Sequence, residues 1–206
     1  MRKMKVALPL VLVLGLVMVG CAKPPQADID AAKQSLDAAR AAEASDYAND
    51  SLKAAEDAQA ALDNELKAQE QKFALFRSYK HATELAADVK TKAEKAAEDA
   101  RAAKQKAKDE ASALMTESKA ALDEAKAMLD KAPKGKGTQA DLEQMKADLA
   151  TAESQLAEAD TAFNSEKYLD AKSKAESAKT TANNVKTAVE QAMEAKKTMG
   201  KPMGKK

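Results

Sequence analysis

The feature that most constrains this chain is the absence of helix-breaking residues over two long stretches. Residues 26–132 and 138–199 contain neither glycine nor proline, and the segment 133–137 (PKGKG) is the only interruption between them. Glycine and proline commonly end helices, so this pattern favours long helices joined by a turn. Thr138, with Asp141 three residues later, is a helix amino-cap pattern and predicts that a new helix begins directly after the turn.

Apolar residues in the second stretch recur on a seven-residue rhythm. Spacings of three and four residues alternate, pause at Asn164 and Ser165, and then resume, as in the seam between paired helices. The seam positions are Leu142, Met145, Leu149, Ala152, Leu156, Ala159 and Phe163, followed by Tyr168, Ala171, Ala175, Ala178, Ala182, Val185, Val189 and Ala192. The pattern predicts two helices in a hairpin.

The first half of the chain carries the same two series about 90 residues earlier, which indicates a tandem duplication. The corresponding positions are Leu52, Ala55, Gln59, Leu62, Leu66, Gln69 and Phe73, followed by Tyr79, Ala82, Ala86, Val89, Ala93, Ala96, Ala100 and Ala103. Upstream, Leu36 and Ala39 correspond to Leu122 and Ala125 at an offset of 86 residues, and the segment 133–137 absorbs the difference. Each copy then holds three helices, and the two tyrosines are expected to anchor the helix pairs just after each turn.

The predicted fold is all-α: an elongated tandem three-helix coiled-coil bundle with alanine-rich heptad seams and a connectivity that resembles spectrin-type repeats. Unit one covers residues 27–110, with helices over roughly 27–45, 50–73 and 78 onward, and unit two covers residues 111–197. A single helix of about 55 residues, roughly 80 Å long, is expected to run from the first unit into the second. The turns near residues 46–50 and near Arg77 are inferred from the repeat alone. The alternative, in which the helix continues through these positions, stays open from the sequence.

Composition supports helices and argues against an ordinary globular enzyme. After residue 20, Leu, Ile, Val and Phe make up only about 11% of the chain, whereas Ala, Glu, Lys, Leu and Arg make up about 59%. Beyond the amino-terminal Arg2, Lys3 and Lys5, the chain carries 31 basic and 33 acidic side chains. This balance gives no basic surplus for nucleic-acid binding. Because alanine buries little apolar surface, stability must accumulate along the seams.

The amino terminus has the order of a secretory signal peptide, here residues 1–20. A basic start precedes an apolar run over residues 6–19, which contains Pro9 and is shorter than the roughly 20 residues of a membrane span. The segment 17–21 (VMVGC) resembles the lipobox of bacterial lipoproteins. That resemblance implies that Cys21, the only cysteine, receives diacylglycerol, becomes the new amino terminus after cleavage and is acylated. Residues 21–26 would form a short tether. The resemblance to lipoproteins of enteric bacteria also implies sorting to the outer membrane, because Ala22 and not aspartate follows the cysteine.

No pattern in the chain predicts catalysis, a cofactor or a metal site. His81 is the only histidine and shares a helix face with Glu84, too few ligands for a metal. The segment 135–138 (GKGT) lacks the spacing of a phosphate-binding loop. The acidic pairs Glu98-Asp99 and Asp109-Glu110 are expected to be solvated. The i,i+4 pairs Asp88 with Lys92 and Asp170 with Lys174 are expected to stabilise exposed helix faces.

The carboxyl terminus is predicted to be a flexible basic tail over residues 198–206. Gly200, Pro202 and Gly204 disfavour a helix there. The last eleven residues contain five lysines, namely Lys196, Lys197, Lys201, Lys205 and Lys206. Two interpretations stay open: a solvated end, or contact with an anionic envelope surface.

Over its mature length the chain resembles small alanine-rich helical lipoproteins of the bacterial outer membrane. The segments that carry this likeness are Asp46-Tyr47-Ala48 followed by Leu52, and the sets Tyr79/Ala82/Ala86 and Tyr168/Ala171/Ala175. In its lipobox, helical seam and terminal lysine it is also similar to the murein lipoprotein, whose last lysine is joined to peptidoglycan. Lys206 matches that lysine by position, but the Tyr-Arg that precedes it there is absent, so Lys205 and Lys206 are candidate peptidoglycan contacts only.

Two functions from different classes fit this sequence. The first is a lipid-anchored helical spacer on the periplasmic face of the outer membrane that links or organises the membrane and the cell wall. The alternative is a helical protein–protein interaction module, an accessory or scaffold subunit of an envelope complex. Both imply a non-enzymatic protein without a cofactor. Alanine seams serve packing within one chain or between chains, so a monomer and a homo-oligomer both stay open.

Overall fold

In a computed structural model, residues 23–133 and 139–199 are described, and within them the secondary structure is entirely helical. This confirms the predicted all-α class. Cys21, Thr138, Lys205 and Lys206 lie outside the described residues. Among the described residues there are six α-helices: α1 (Gln26–Ala41), α2 (Ala44–Tyr47), α3 (Asn49–Glu70), α4 (Lys80–Asp130), α5 (Gln139–Asn164) and α6 (Tyr168–Met199).

The chain turns twice in its first half without using glycine or proline. The first helix ends at Ala41, four residues before the predicted end at Ser45, and Glu43 adopts a left-handed backbone with φ of 60°. The second turn lies between α3 and α4 and includes a short 3₁₀ helix, Ala74–Phe76. We call residues 71–79 the apolar turn. Both turns inferred from the repeat therefore exist, although their boundaries shift by one to four residues.

The corresponding turn in the second half is shorter. It occupies residues 165–167, between α5 and α6, and we call it the polar turn. The amide of Lys167 donates to the carbonyl of Ala162 at 2.9 Å, and the amide of Glu166 donates to that of Phe163 at 3.0 Å. These two bonds form a Schellman motif, in which Glu166 holds the left-handed position with φ of 59°.

The described chain divides into two compact units. The first contains the described residues up to Ala41 together with Asp50–Ala96, and the second contains Ala42–Asn49 and the described residues from Ala97 onward. Helix α4 contributes residues to both units. The division into 27–110 and 111–197 drawn from the repeat stays a prediction.

The first unit packs α1, α3 and the beginning of α4 around small side chains. Its core cluster consists of Ile29, Ala32, Ala58, Leu62, Tyr79, Ala82, Ala86 and Val89, with Leu66 and Leu85 packed against it. Tyr79 is 7% exposed, as expected for an anchor directly after the turn. Phe73 departs from the predicted seam, because its side chain is 69% exposed. Helix α3 ends at Glu70, three residues before Phe73, so this ring no longer follows the helical face that packs inward.

The second unit packs α4, α5 and α6 along the predicted seams. Its main cluster contains Ala121, Leu122, Ala125, Leu129, Ala132, Leu149, Ala152, Ala178, Ala182, Val185 and Val189, with Met128, Leu142, Met145, Leu156 and Met193 against it. Methionines 128 and 145 therefore serve packing. Each buried alanine methyl contributes only about 0.8 kcal/mol, so the cohesion of this unit is spread over many layers.

One buried polar contact links two helices of the second unit. The hydroxyl of Ser118 on α4 is fully buried and lies 2.6 Å from the carbonyl of Leu114 and 2.7 Å from the carbonyl of Ala175 on α6. A serine is small enough for helices to approach closely there. No helix among the described residues combines the length and the apolar run needed to cross a bilayer.

Candidate functional site

The residues predicted to carry function lie mostly outside the described part of the chain. Cys21, Lys205 and Lys206 are outside it, and so is the GKGT segment. Lys196 and Lys197 are described, in the last turn of α6. Together with Lys131, Pro133 and Met193 they line a shallow hollow of about 270 Å³. We call this surface the basic end of the second unit.

Lys104 on α4 lies at the centre of a charged contact in the second unit. Its ammonium group donates to Glu43 Oε1 at 2.8 Å and to Glu166 Oε2 at 3.1 Å. The hydrogen bond to Glu43, followed by the one to Glu166, raises the pKa of Lys104 above its usual value. Both glutamates have the left-handed backbone conformation that usually favours glycine. Their side chains therefore supply something that glycine could not, namely two carboxylates around one cation.

A cleft of about 720 Å³ opens beside this contact. It is lined by Glu43, Asp46, Tyr47, Ser165, Glu166, Lys167, Leu169 and Asp170. Burial, and after it the charge of Glu43, raises the pKa of the Tyr47 phenol. Four of the lining side chains are carboxylates, so the rim of the cleft is predominantly acidic.

Two aromatic rings pack together close to Lys104. Phe163 and Tyr168 meet edge to face with ring centroids 5.2 Å apart. The ammonium groups of Lys104 and Lys108 lie 5.9 and 5.8 Å from the centroid of the Tyr168 ring, within the range of a cation–π contact. Tyr168 is 7% exposed, as expected for the second anchor tyrosine.

The two groups of this site with shifted pKa values, Lys104 and Tyr47, are both shifted upward. The shifted pKa values favour a protonated Lys104 and a protonated Tyr47 at neutral pH, so neither is made into a base. Among the described residues, no group of three His, Cys, Asp or Glu side chains is placed to hold a metal ion. His81 and Glu84 face each other at 3.5 Å on an exposed surface, as their spacing predicted.

Interhelical ion pairs in the second unit are the feature that sequence analysis missed. Glutamates on α4 pair with lysines on α6 at a constant separation of 62 residues, the same separation as Lys104 and Glu166. We call these three pairs the charge ladder: Glu110–Lys172 at 2.5 Å, Glu117–Lys179 at 2.6 Å, and Glu124–Lys186. The hydrogen bond to Lys172 lowers the pKa of Glu110. The seven-residue spacing of glutamates on one helix and of lysines on the other could have revealed it.

Two charged side chains have partners on neighbouring helices that the sequence patterns did not predict. Glu110, which was expected to be solvated, is 40% exposed and pairs with Lys172. Lys174 of the expected pair with Asp170 contacts Glu158 of α5 at 2.6 Å. The hydrogen bond to Glu158, and after it the charges of Glu158 and Asp170, raise the pKa of Lys174. In the first unit, by contrast, the expected pair of Asp88 with Lys92 is present at 2.7 Å.

Comparisons with known proteins give no family for this chain. No protein-family model matches it, and neither a curated protein nor a solved structure matches it significantly.

Proposed function

We propose that this protein is a lipid-anchored helical spacer on the periplasmic face of a bacterial outer membrane, where it links or organises the membrane and the cell wall. In this proposal the two units are tandem three-helix bundles of a slender coiled coil, as the sequence repeat suggests. Its work is mechanical and positional, without a cofactor.

The observation that carries the proposal is the lipobox-like segment 17–21, which ends in the only cysteine. Helix α1 begins at Gln26, so only a short segment separates Cys21 from folded chain. Several acyl chains, each methylene worth roughly 0.8 kcal/mol when buried, would hold such a protein firmly in a membrane.

The basic end of the second unit supports contact with the cell wall. Lys131, Lys196 and Lys197 lie together there. In the sequence, residues 134–138 and 200–206 add further lysines, among them Lys205 and Lys206. The peptides of peptidoglycan carry carboxylates, which such a surface attracts electrostatically.

Two measurements test the spacer. Mass spectrometry of the amino-terminal peptide should find Cys21 as the first residue with its acyl groups, and an unmodified or unprocessed terminus would contradict lipid anchoring.

Purified sacculi should retain the protein and release it on lysozyme digestion. The double variant Lys205→Gln, Lys206→Gln distinguishes covalent attachment from electrostatic binding. If the unchanged protein yields muropeptide-linked fragments and the double variant does not, one of these lysines forms a covalent bond to peptidoglycan. If no protein sediments with sacculi, the bridging role is wrong.

The acidic cleft favours the second candidate, a protein–protein interaction module. Tyr47 and the 46%-exposed Leu169 offer apolar contact inside a carboxylate rim, a surface suited to a basic, partly apolar protein segment. A photo-crosslinking residue at position 169 tests it in cells, with position 81 as an exposed control. One dominant adduct specific to position 169 favours the module, whereas equal labelling from both positions argues against it.

A further inference from the structure

Three large apolar side chains are exposed together in the apolar turn. Phe73, Leu75 and Phe76 are 69%, 60% and 75% exposed, and the two rings lie 6.3 Å apart. Single exposed hydrophobic residues are ordinary, but a cluster within four residues of a charge-rich chain calls for an explanation.

Polar contacts hold this turn against the end of α3. The guanidinium group of Arg77 donates to the carbonyls of Lys72 at 3.0 Å and Glu70 at 2.8 Å, which caps the end of α3. The amide of Ser78 donates to Oε1 of the buried Gln69 at 3.0 Å. The backbone is thus tied to the bundle by polar groups, while the apolar side chains face outward.

A hairpin turn does not require these apolar residues. At the corresponding place in the second repeat, after Phe163, the chain reads Asn164, Ser165 and Glu166 instead of alanine, leucine and phenylalanine. There Phe163 is partly buried against the core. The second repeat therefore forms the equivalent turn with polar residues, whereas the first repeat has apolar residues at these positions.

The apolar turn lies at the end of the first unit where the described chain begins. Ile29, in the first turn of α1, belongs to the same core cluster as Leu62 and as Tyr79, the last residue of the apolar turn. From Leu62, α3 continues for eight residues to Glu70, about 12 Å. The five-residue segment from Cys21 to Gln26 spans at most about 17 Å. Acyl chains on Cys21 and the apolar turn can thus reach one surface.

Charge and area identify what covers this cluster. Between Gln71 and His81 the charged residues are Lys72, Arg77 and Lys80, all basic, which suits an anionic lipid surface. The exposed area of the three apolar side chains is on the order of 400 Å², well below the roughly 800 Å² per partner of a stable protein interface. A bilayer, unlike a protein partner, needs only a few aromatic side chains at its interface.

We propose that residues 73–76 insert into the same lipid leaflet as the acyl chains of Cys21 and give the anchored protein a second point of contact with the membrane. This inference rests on the proposed lipid anchoring. Two contacts fix the tilt of the first unit at the surface, whereas an acylated tether alone would leave the unit free to swing.

Tryptophan fluorescence tests the insertion directly, because the chain contains no tryptophan. The acylated full-length mature protein, carrying Phe76→Trp, is reconstituted in phosphatidylethanolamine–phosphatidylglycerol vesicles with brominated acyl chains. We expect a blue shift on reconstitution and loss of most of the emission through bromine quenching. Phe163→Trp, at the matched place in the second repeat, is the control and should keep its emission.

A second variant separates insertion from general proximity to lipid. Leu75→Ser with Phe76→Glu introduces the residues of the polar turn, and in that background the emission of Phe73→Trp should escape quenching. In the otherwise unchanged protein, Phe73→Trp should be quenched. Quenching that survives the polar substitutions would overturn the proposal.

The remaining outcomes distinguish this proposal from the anchoring itself. If Cys21 is acylated and the protein floats with vesicles but Phe76→Trp is not quenched, insertion is overturned and anchoring stands. If Cys21 carries no acyl group, anchoring fails, while quenching of Phe76→Trp by added vesicles would still support insertion. A concentration-dependent blue shift without lipid would mean that a second copy covers the turn, and would overturn insertion.

Discussion

The apolar turn and the polar turn occupy equivalent places in the repeat but solve the same problem differently. In the polar turn, α5 continues to Asn164 and closes with a Schellman motif, which keeps Phe163 against Tyr168. In the apolar turn, α3 stops at Glu70, whose carbonyl accepts a hydrogen bond from Arg77, and Phe73 lies at the surface beyond the helix end. A shared heptad position therefore does not ensure a shared environment, because the point at which the helix ends decides where the ring goes.

The largest expected effect concerns the anchor of the polar turn. Tyr168→Ala should destabilise the second unit by about 3–5 kcal/mol, since it empties a buried aromatic site next to Phe163. Hydrogen exchange of the amides in α5 and α6 measures this loss as a lower free energy of opening. Tyr168→Phe keeps the ring and should cost far less. Equal losses from both variants would show that the hydroxyl, and not ring packing, secures the turn.

Phe163 and Phe73, at equivalent places in the repeat, test the difference between the polar turn and the apolar turn. Phe163→Ala should cost about 2 kcal/mol, because its ring is partly buried against the core. Phe73→Ala should stay within about 0.5 kcal/mol, because its ring is largely exposed. Local opening by hydrogen exchange, measured on α6 and on the start of α4, reports both. A comparable cost for Phe73→Ala would mean that its ring supports the fold, and the contrast between the turns would disappear.

Much of the fold was predictable because alanine seams and heptad spacing depend on local sequence. The seam around Val185 and Val189, and the burial of Tyr79 and Tyr168, follow from positions in the repeat alone. The exposure of Phe73 did not follow, since it depends on Arg77 reaching back across the turn. That contact lies between residues that no periodic pattern relates.

The candidate site was less predictable than the fold, because its charges come together only when separate helices pack. Lys104, Glu43 and Glu166 come from three separate segments, and on single helices each looks like an ordinary solvated charge. The seven-residue spacing that defines the charge ladder was present in the sequence, but its meaning required the pairing of α4 with α6. Cys21 and the terminal lysines rest on sequence patterns and stay predictions.

Removal of the cap tests how the apolar turn is held. Arg77→Ala should cost about 1 kcal/mol through two lost hydrogen bonds to carbonyls. Faster hydrogen exchange should be confined to residues 70–80. Arg77→Lys keeps the charge but not the forked geometry, so it should rescue little. Full rescue by lysine would show that charge alone fixes the turn.

The smallest effect concerns the carboxylate that the polar turn contributes to Lys104. Because hydrogen bonds raise the pKa of Lys104, its stabilising contribution is complete below the ordinary value of 10.5 and is lost as the pH rises through the raised value. Glu166→Gln removes one of the two carboxylates and should lower the pKa of Lys104, which NMR titration of the Lys104 side chain measures. The variant should consequently lose the Lys104 contribution at a lower alkaline pH than the unchanged protein.

The control for this titration is Glu84→Gln, which alters an exposed carboxylate on the same helix without touching Lys104. An unchanged pKa for Lys104 in Glu166→Gln would assign the shift to Glu43 alone. Electrostatics would then not explain why a glutamate occupies this left-handed position. Glu166→Gly should in that case stabilise the polar turn, because glycine adopts a left-handed backbone without strain. If instead the pKa of Lys104 falls and Glu166→Gly is no more stable, the ion pair offsets the strain of the left-handed backbone. The apolar turn cannot form such an ion pair with a lysine, because its own charged residues are all basic.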